Sequence, residues 1–500
     1  MSLLKKLAGE TALYGLSSIL GRLLTFVFLT PYLTRKFMPD QMGIQTDIYA
    51  WAAFLMIIFT YRLETTFFRF GSKKEDRPTA YRTASISLIA STVVLVATLL
   101  IFAQPIATWL EYPDHANYIV YFAFILGFDA LSALPFALLR LESKAMRFAV
   151  IKLLNLFIHL GAILFFLELG PTLAEKQLLG ADSWFNPDMG IGYVFLANLL
   201  ASAATFILLA PNYFRKVGKQ AVQAIFDKEL LKKMLWYAFP LVLAGFAGII
   251  NEVLDRTLLK AYLPGTLNER LTQVGIYGAC YKISIFMNLF TQAFNYAAEP
   301  FFFRNADRKN AQPLYANIAR LFALVGSLGF LGIMLYMDIV QYFVAAAYRE
   351  GIVVVPILLL ANLFLGLYYN AAVWFKLTNR TKFGAYIAVI GASLTILLNL
   401  ILIPRIGYMG SAWATLACYV VMVGFAYYWG QKYYPIPYPV AKILFYIGLA
   451  VAVYFVHIYT KPLLPASLIV SLGYSTILFL VYVLIVWKID GPQLRKIIKM

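Results

Sequence analysis

Residues 117–148 read NYIVYFAFILGFDALSALPFALLRLESKAMRF. An apolar run over 117–139 is long enough to cross a hydrocarbon core as a helix, because a core of about 30 Å needs about 20 residues at 1.5 Å each. It ends abruptly at Arg140, and Lys144 and Arg147 follow within one loop. An apolar crossing closed by a basic loop is the repeating unit of a polytopic membrane protein whose positive loops stay in the cytoplasm.

The same unit recurs along the chain. Apolar segments cover residues 11–34, 42–66, 80–104, 117–139, 148–169, 190–211, 234–261, 272–298, 314–337, 352–375, 383–403, 409–430, 441–460 and 465–487. That makes about fourteen predicted spans. Hydrophobic residues are 62% and charged residues 13% of the 500, a balance that leaves too little polar cover for a soluble fold. The expected fold is therefore all-α and polytopic.

Of the 42 Lys and Arg, about 30 fall at the N-terminus, in the even-to-odd loops or at the C-terminus. The heaviest clusters are Arg69, Lys73, Lys74, Arg77 and Arg82, and then Arg215, Lys216, Lys219, Lys228, Lys232 and Lys233. Both termini are predicted to be cytoplasmic. The net charge of +18 is placed beside helix ends, as orientation and anionic lipid headgroups require, which argues against nucleic acid as a partner. The first apolar run follows Lys5 and Lys6 but has no small-residue cleavage site, so it reads as a retained helix. Cys280 and Cys418 both lie in predicted spans and read as small packing residues.

The loop that closes the opening stretch has an echo. Arg140-Leu141-Glu142-Ser143-Lys144-Ala145-Met146-Arg147-Phe148 resembles Lys376-Leu377-Thr378-Asn379-Arg380-Thr381-Lys382-Phe383, with one residue fewer in the second copy. Met42-Gly43-Ile44 pairs in the same way with Val274-Gly275-Ile276, and Phe67-Phe68-Arg69 with Phe302-Phe303-Arg304. These offsets predict two pseudo-symmetric six-helix lobes, residues 1–220 and 221–432, around a central cavity. Pro435, Pro437 and Pro439 mark the start of an appended helix pair and C-terminus over 433–500. Two like bundles around a cavity suit a transporter that works by alternating access.

Charges inside spans locate the candidate site, because each costs about 2.5–3.5 kcal/mol at mid-helix on insertion scales. Arg22, Arg62, Arg256 and Lys282 are the candidate ligands for an anionic head, and Asp129, Glu252 and Asp255 the candidate ion-coupling carboxylates. The four cations together would cost about 10–14 kcal/mol facing lipid, comparable with the whole stability of a domain. A wet polar cavity is the cheaper arrangement. A guanidinium can grip phosphate through two parallel hydrogen bonds, whereas Lys acts as a point charge.

Bland readings compete. Glu252 and Arg256 are spaced for an i,i+4 ion pair, Arg62 is near enough to Arg69 to snorkel toward the cytoplasmic headgroups, and Asp129 could be a satisfied structural carboxylate. His115, His159 and His457 are scattered and predict no metal site. No phosphate-cradling Gly-rich loop with Lys and Ser or Thr is present, so energy would come from an H+ or Na+ gradient, the cargo gradient or a partner. The longest predicted periplasmic loop, 170–189, has Glu175, Asp182 and Asp188 but no acid pair at catalytic spacing, and an enzyme is not expected.

Tyr14-Gly15-Leu16-Ser17-Ser18-Ile19-Leu20-Gly21-Arg22, Thr30-Pro31-Tyr32-Leu33-Thr34-Arg35 and Met42-Gly43 resemble the opening of polysaccharide-biosynthesis (Wzx-type) flippases of the multidrug/oligosaccharidyl-lipid/polysaccharide exporter superfamily. Leu134-Pro135-Phe136-Ala137-Leu138-Leu139-Arg140 and Pro404-Arg405-Ile406-Gly407-Tyr408-Met409-Gly410-Ser411-Ala412-Trp413-Ala414 are similar to that family too. The resemblance implies a flippase of the bacterial inner membrane. Its cargo would be an undecaprenyl-diphosphate-linked oligosaccharide for O-antigen, capsule or exopolysaccharide. Membrane lipids, a polysaccharide polymerase and glycosyltransferases are the implied partners. Lipid II flippases of the superfamily are the alternative. Multidrug extruders fit less well, since they carry a carboxylate in the first helix where this chain has Arg22.

Overall fold

The computed structural model describes residues 23–213, 226–306, 311–465 and 467–498. Helices dominate and no strand occurs among the described residues. Twelve helices among them are long and apolar enough to cross a membrane, which makes this a multi-pass membrane protein.

The twelve correspond to predicted spans two to seven and nine to fourteen, and the difference from fourteen lies in two elements. Span one begins among residues outside the described set. Span eight is a single helix of 38 residues, Leu267–Arg304, whose polar side chains, among them Tyr281, Lys282, Ser284, Asn288 and Gln292, take it out of the apolar class.

The described helices run in order: α1 (Thr30–Lys36), α2 (Pro39–Thr60), α3 (Leu63–Phe70), α4 (Arg77–Ile101), α5 (Ala116–Leu141), α6 (Ala145–Leu164) and α7 (Gly192–Tyr213). They continue as α8 (Lys228–Tyr262), α9 (Leu267–Arg304), α10 (Ala311–Met334), α11 (Val355–Ala371), α12 (Lys382–Ile406), α13 (Tyr408–Tyr433), α14 (Val440–Thr460) and α15 (Leu468–Ile498), with short helical turns between some of them. By its contacts the chain divides into two compact units. One holds residues 44–249 and 266–271 with the chain before 30; the other holds 30–43, 250–265 and 272–500.

Each unit repeats the same pairing. In the first, α4 packs on α5, α5 on α7 and α7 on α6. In the second, α10 packs on α11, α11 on α13 and α13 on α12. The echo between loops is equally concrete. Ser143 (φ 53°) and Asn379 (φ 57°) each adopt the left-handed conformation that ends a helix. Lys144 N donates to Leu139 O and Arg380 N to Phe375 O, both at 2.8 Å, so the two loops are the same Schellman turn. The closing aromatics match as well: Phe148 meets Phe136 edge-on at 5.0 Å, and Phe383 packs on Trp374 at 5.3 Å.

Because a β-branched side chain is strained at positive φ and glycine is not, Ser143→Gly and Asn379→Gly are expected to keep the wild-type Tm in detergent. Valine at either position is expected to cost about 1–2 kcal/mol. Equal melting of the Val and Gly variants would show that these turns are not held left-handed.

Within the second unit, the appended pair α14 and α15 packs on the other helices through α10. Near the middle of α10, Arg320 pairs with buried Asp490, which also accepts from Lys442 Nζ at 2.7 Å and from the Tyr446 hydroxyl. Just past the C-terminal end of α10, Asp338 accepts from Lys461 and Ser471. Burial there tends to raise the Asp338 carboxyl, but the Lys461 and Ser471 hydrogen bonds outweigh it and hold the group below the usual carboxylate range.

Candidate functional site

The second unit gathers most of the sequence-predicted charges, on the last turns of α8 and the facing part of α9. Asn251, Asp255 and Leu259 are buried at i, i+4 and i+8 of this stretch of α8, and Lys260 is buried next to Leu259. Asp255 Oδ2 accepts from the Tyr277 hydroxyl at 2.5 Å, and Oδ1 accepts from the Arg256 backbone N–H at 2.9 Å. Arg256 does not make the i,i+4 ion pair with Glu252 that its spacing allows. Its guanidinium lies over the ring of Tyr281 instead, with Cζ 4.4 Å from the centroid. Tyr281 stands one turn from Tyr277 on α9, and their rings meet at 5.9 Å.

Lys282 follows Tyr281 and is close enough to Arg256 for the two cations to repel. Neither forms an ion pair with a carboxylate among the described residues. Glu252 is exposed and lies within electrostatic range of Tyr281, Tyr369 and Tyr419. The Tyr419 hydroxyl reaches back to Asn251 O at 3.4 Å. The result is two adjacent cations and one exposed carboxylate among tyrosines from α9, α11 and α13. Such a surface can bind a multivalent anion and place hydroxyls and ring faces beside it.

From Lys282 a line of amides continues along α9. Asn288 Nδ2 donates to Asn362 Oδ1 at 3.2 Å, Gln292 Nε2 to Asn288 Oδ1 at 2.5 Å, and Asn362 Nδ2 to Ser284 Oγ at 3.4 Å. These contacts tie α9 to α11 and account for the polarity of the eighth span.

In the first unit Asp129 takes a hydrogen bond from Ser202 and has Lys152 in electrostatic range. Asn198 Nδ2 donates to Tyr49 Oη and Asn155 Nδ2 to Thr205 Oγ1, each at 2.9 Å. A polar seam thus runs inside the α2, α5, α6 and α7 packing. Asp47 is fully buried and accepts from Tyr112 at 2.9 Å, a packing role. Arg62 lies at the join of α2 and α3, against α8. Arg22 lies outside the described residues.

The structure therefore brings Glu252, Asp255, Arg256 and Lys282 together and places Asp129 and Arg62 at two separate positions of the first unit. Two features escape a reading of the sequence. Tyr277, Tyr281, Tyr369 and Tyr419 carry no spacing signal that separates them from interfacial tyrosines. Arg320 and Asp490 form a buried ion cluster whose only sequence signal is an Arg and an Asp within or beside apolar helices.

Comparison with known proteins places this fold in a class. It is shared with the lipid II flippase MurJ in an inward closed conformation, at TM-score 0.65 and 15% identity over 94% of this chain and 99% of that one. It is shared too with an inward-facing multidrug resistance MATE family transporter of the MOP superfamily, at TM-score 0.63 and 13% identity over 82% and 94% of the two chains. A mutant form of the Vibrio cholerae MATE transporter VcmN matches at TM-score 0.59 and 13% identity over 86% and 97%. This is the fold of membrane flippases and transporters. No curated protein sequence matches significantly. The family model for polysaccharide biosynthesis proteins matches residues 7–306, and the chain belongs to that family.

Proposed function

We propose that the protein turns an undecaprenyl-diphosphate-linked oligosaccharide from the cytoplasmic to the periplasmic leaflet of the bacterial inner membrane by alternating access, with both termini cytoplasmic. The cargo would serve O-antigen, capsule or exopolysaccharide assembly, alongside a polymerase and glycosyltransferases. The observation that carries this reading is the Arg256 and Lys282 pair beside Tyr281 in a member of the polysaccharide biosynthesis family. Two cations that form no carboxylate ion pair among the described residues, with Asp255 and Glu252 only in electrostatic range of Arg256, suit a diphosphate, which offers several charged oxygens for bidentate contact. The prenyl tail stays in lipid while the sugars meet tyrosine hydroxyls and rings. Arg22 and Arg62 are further anion ligands in this scheme, and Asp129, Glu252 and Asp255 carry H+ or Na+.

A second reading, lipid II as cargo, is favoured by the match that spans 99% of the MurJ chain. Both cargoes present a prenyl diphosphate, so Arg256 and Lys282 suit either.

Reconstitution in liposomes with fluorescently labelled undecaprenyl-diphosphate oligosaccharide or lipid II, with and without a pH or Na+ gradient, separates the readings. Exchange of the oligosaccharide alone supports the proposal, and exchange of lipid II alone replaces it. Lys282→Ala and Arg256→Ala are each expected to lower exchange at least about tenfold with folding intact, the worth of one charge-assisted contact. Wild-type exchange by both variants would remove the pair from the cargo site.

A further inference from the structure

Span two is broken where its charge lies. α2 ends at Thr60, and Tyr61 (φ 32°) and Arg62 (φ 56°) both turn left-handed before α3 begins at Leu63. Neither residue is Gly or Asn, and each such conformation costs about 1–3 kcal/mol, so the surroundings must hold the break. They do so on both sides. The Tyr61 hydroxyl hydrogen-bonds Ser87 Oγ of α4 at 2.8 Å. Leu63 and Phe67 of α3 are fully buried against Ala80, Tyr81, Leu134 and Met234. Arg62 O restarts the helix by accepting from Thr65 N and Thr66 N at 3.2 and 3.1 Å.

The offset lays the Arg62 side chain on α8 at Gly245. A Cβ built there would stand 2.8 Å from Arg62 Nη2, 2.9 Å from Nε and 3.3 Å from Cζ. Only a hydrogen at position 245 leaves room for the guanidinium where it is. Among the described residues Arg62 forms no ion pair, not even with Glu64 two positions on. A partly buried guanidinium on a strained backbone, seated in a glycine notch without a carboxylate partner among the described residues, is poised for an external anion. Arg62 stands near the end of the apolar segment 42–66, within snorkelling reach of the headgroups beside Arg69.

We infer that the Tyr61–Arg62 break and the Gly245 notch position the Arg62 guanidinium to take a phosphate-bearing lipid headgroup, with Gly245 and Tyr61 as positioning residues. For the cargo diphosphate as occupant, the inference rests on the flippase reading above. Gly245→Ala adds one methyl group against the end of a flexible side chain. It should therefore displace the guanidinium at little cost to the fold.

The full-length protein in phosphatidylcholine nanodiscs is titrated with geranylgeranyl diphosphate, with and without phosphatidylglycerol in the disc. Gly245→Ala and Arg62→Ala are each expected to weaken binding about tenfold, and the double variant no more than either single, since both remove one contact. Binding that survives phosphatidylglycerol identifies the diphosphate as occupant, and binding competed away by it identifies bulk anionic lipid. Additive losses, or wild-type affinity in Arg62→Ala, overturn the inference.

A second measurement is independent of cargo: the rate at which phenylglyoxal modifies Arg62, read by mass spectrometry. Gly245→Ala and Tyr61→Phe should change it several-fold, and pyrophosphate should slow it in the wild type. An unchanged rate in both variants overturns the positioning role. A wild type that fails to bind the diphosphate while these rates shift and pyrophosphate protects would overturn the flippase reading alone.

Discussion

Gly275→Ala is expected to destabilise the second unit by about 3 kcal/mol and to abolish transport, the largest effect predicted for a single methyl group in this protein. A Cβ at 275 would fall far inside van der Waals contact distance of the Pro39 carbonyl oxygen, and would lie 2.8 Å from both Gly43 N and Pro39 C. These are backbone atoms at the first turn of α2, so no rotamer change can make room. The chain leading into that turn is held from several directions. Tyr348 Oη donates to Phe37 O at 2.7 Å, Arg35 Nη2 to Tyr342 O at 2.8 Å, and Ala345 N to Thr34 Oγ1 at 3.3 Å. The strain cannot be shed by sliding the turn without breaking those bonds. Thermal unfolding in detergent followed by tryptophan fluorescence gives the stability, and the liposome assay gives the transport. A Gly275→Ala protein with wild-type Tm and exchange would show that this backbone crossing is not part of the working molecule.

Asp490→Ala should cost about 3–5 kcal/mol, because it leaves the Arg320 guanidinium buried without its carboxylate. Arg320 is 4% exposed and cannot reach water, whereas Lys442 has a side chain 35% exposed and can turn outward. The Tyr446 hydroxyl loses its acceptor with the carboxylate, although it still accepts from Arg320 Nε at 3.0 Å. Removing both buried charges should be gentler than removing one, so the double variant Arg320→Met, Asp490→Leu is expected to recover most of the loss. A double variant as unstable as Asp490→Ala would mean that the charges do more than neutralise each other. Limited proteolysis would locate the damage. Since Asp490 joins α15 to α10 and α14, cleavage should first appear in the appended pair.

The repeat was legible in part. Arg140–Phe148 and Lys376–Phe383 share charge, length and a closing aromatic, and the structure gives them one turn, with Ser143 and Asn379 at the same left-handed position. Gly43 and Gly275 were legible as a repeated pair but not as neighbours, because similarity of sequence carries no statement of contact. Spans two to seven and nine to fourteen followed from apolar length. Span eight was legible as a long helix, yet its polar line became interpretable only when Asn288 and Gln292 were seen bonded toward Asn362 of another helix. In the candidate site, spacing placed Glu252, Asp255 and Arg256 on one helix and suggested an ion pair between the first and last. Arg256 stacks on Tyr281 instead, a choice that depends on which helix lies opposite.

Membrane class, the repeated order of helices and the identity of the charges that need an explanation all follow from the order of residues alone. They depend on length, hydropathy and local spacing, which act within one helix or loop. Packing settles the rest: which charges meet, which tyrosines accompany them, that Arg62 rests on Gly245 and that Asp490 holds Arg320. The reason is physical. A helix presents residues in every direction, and the cost of a buried charge is set by atoms from other helices, brought close by contacts that local sequence does not encode.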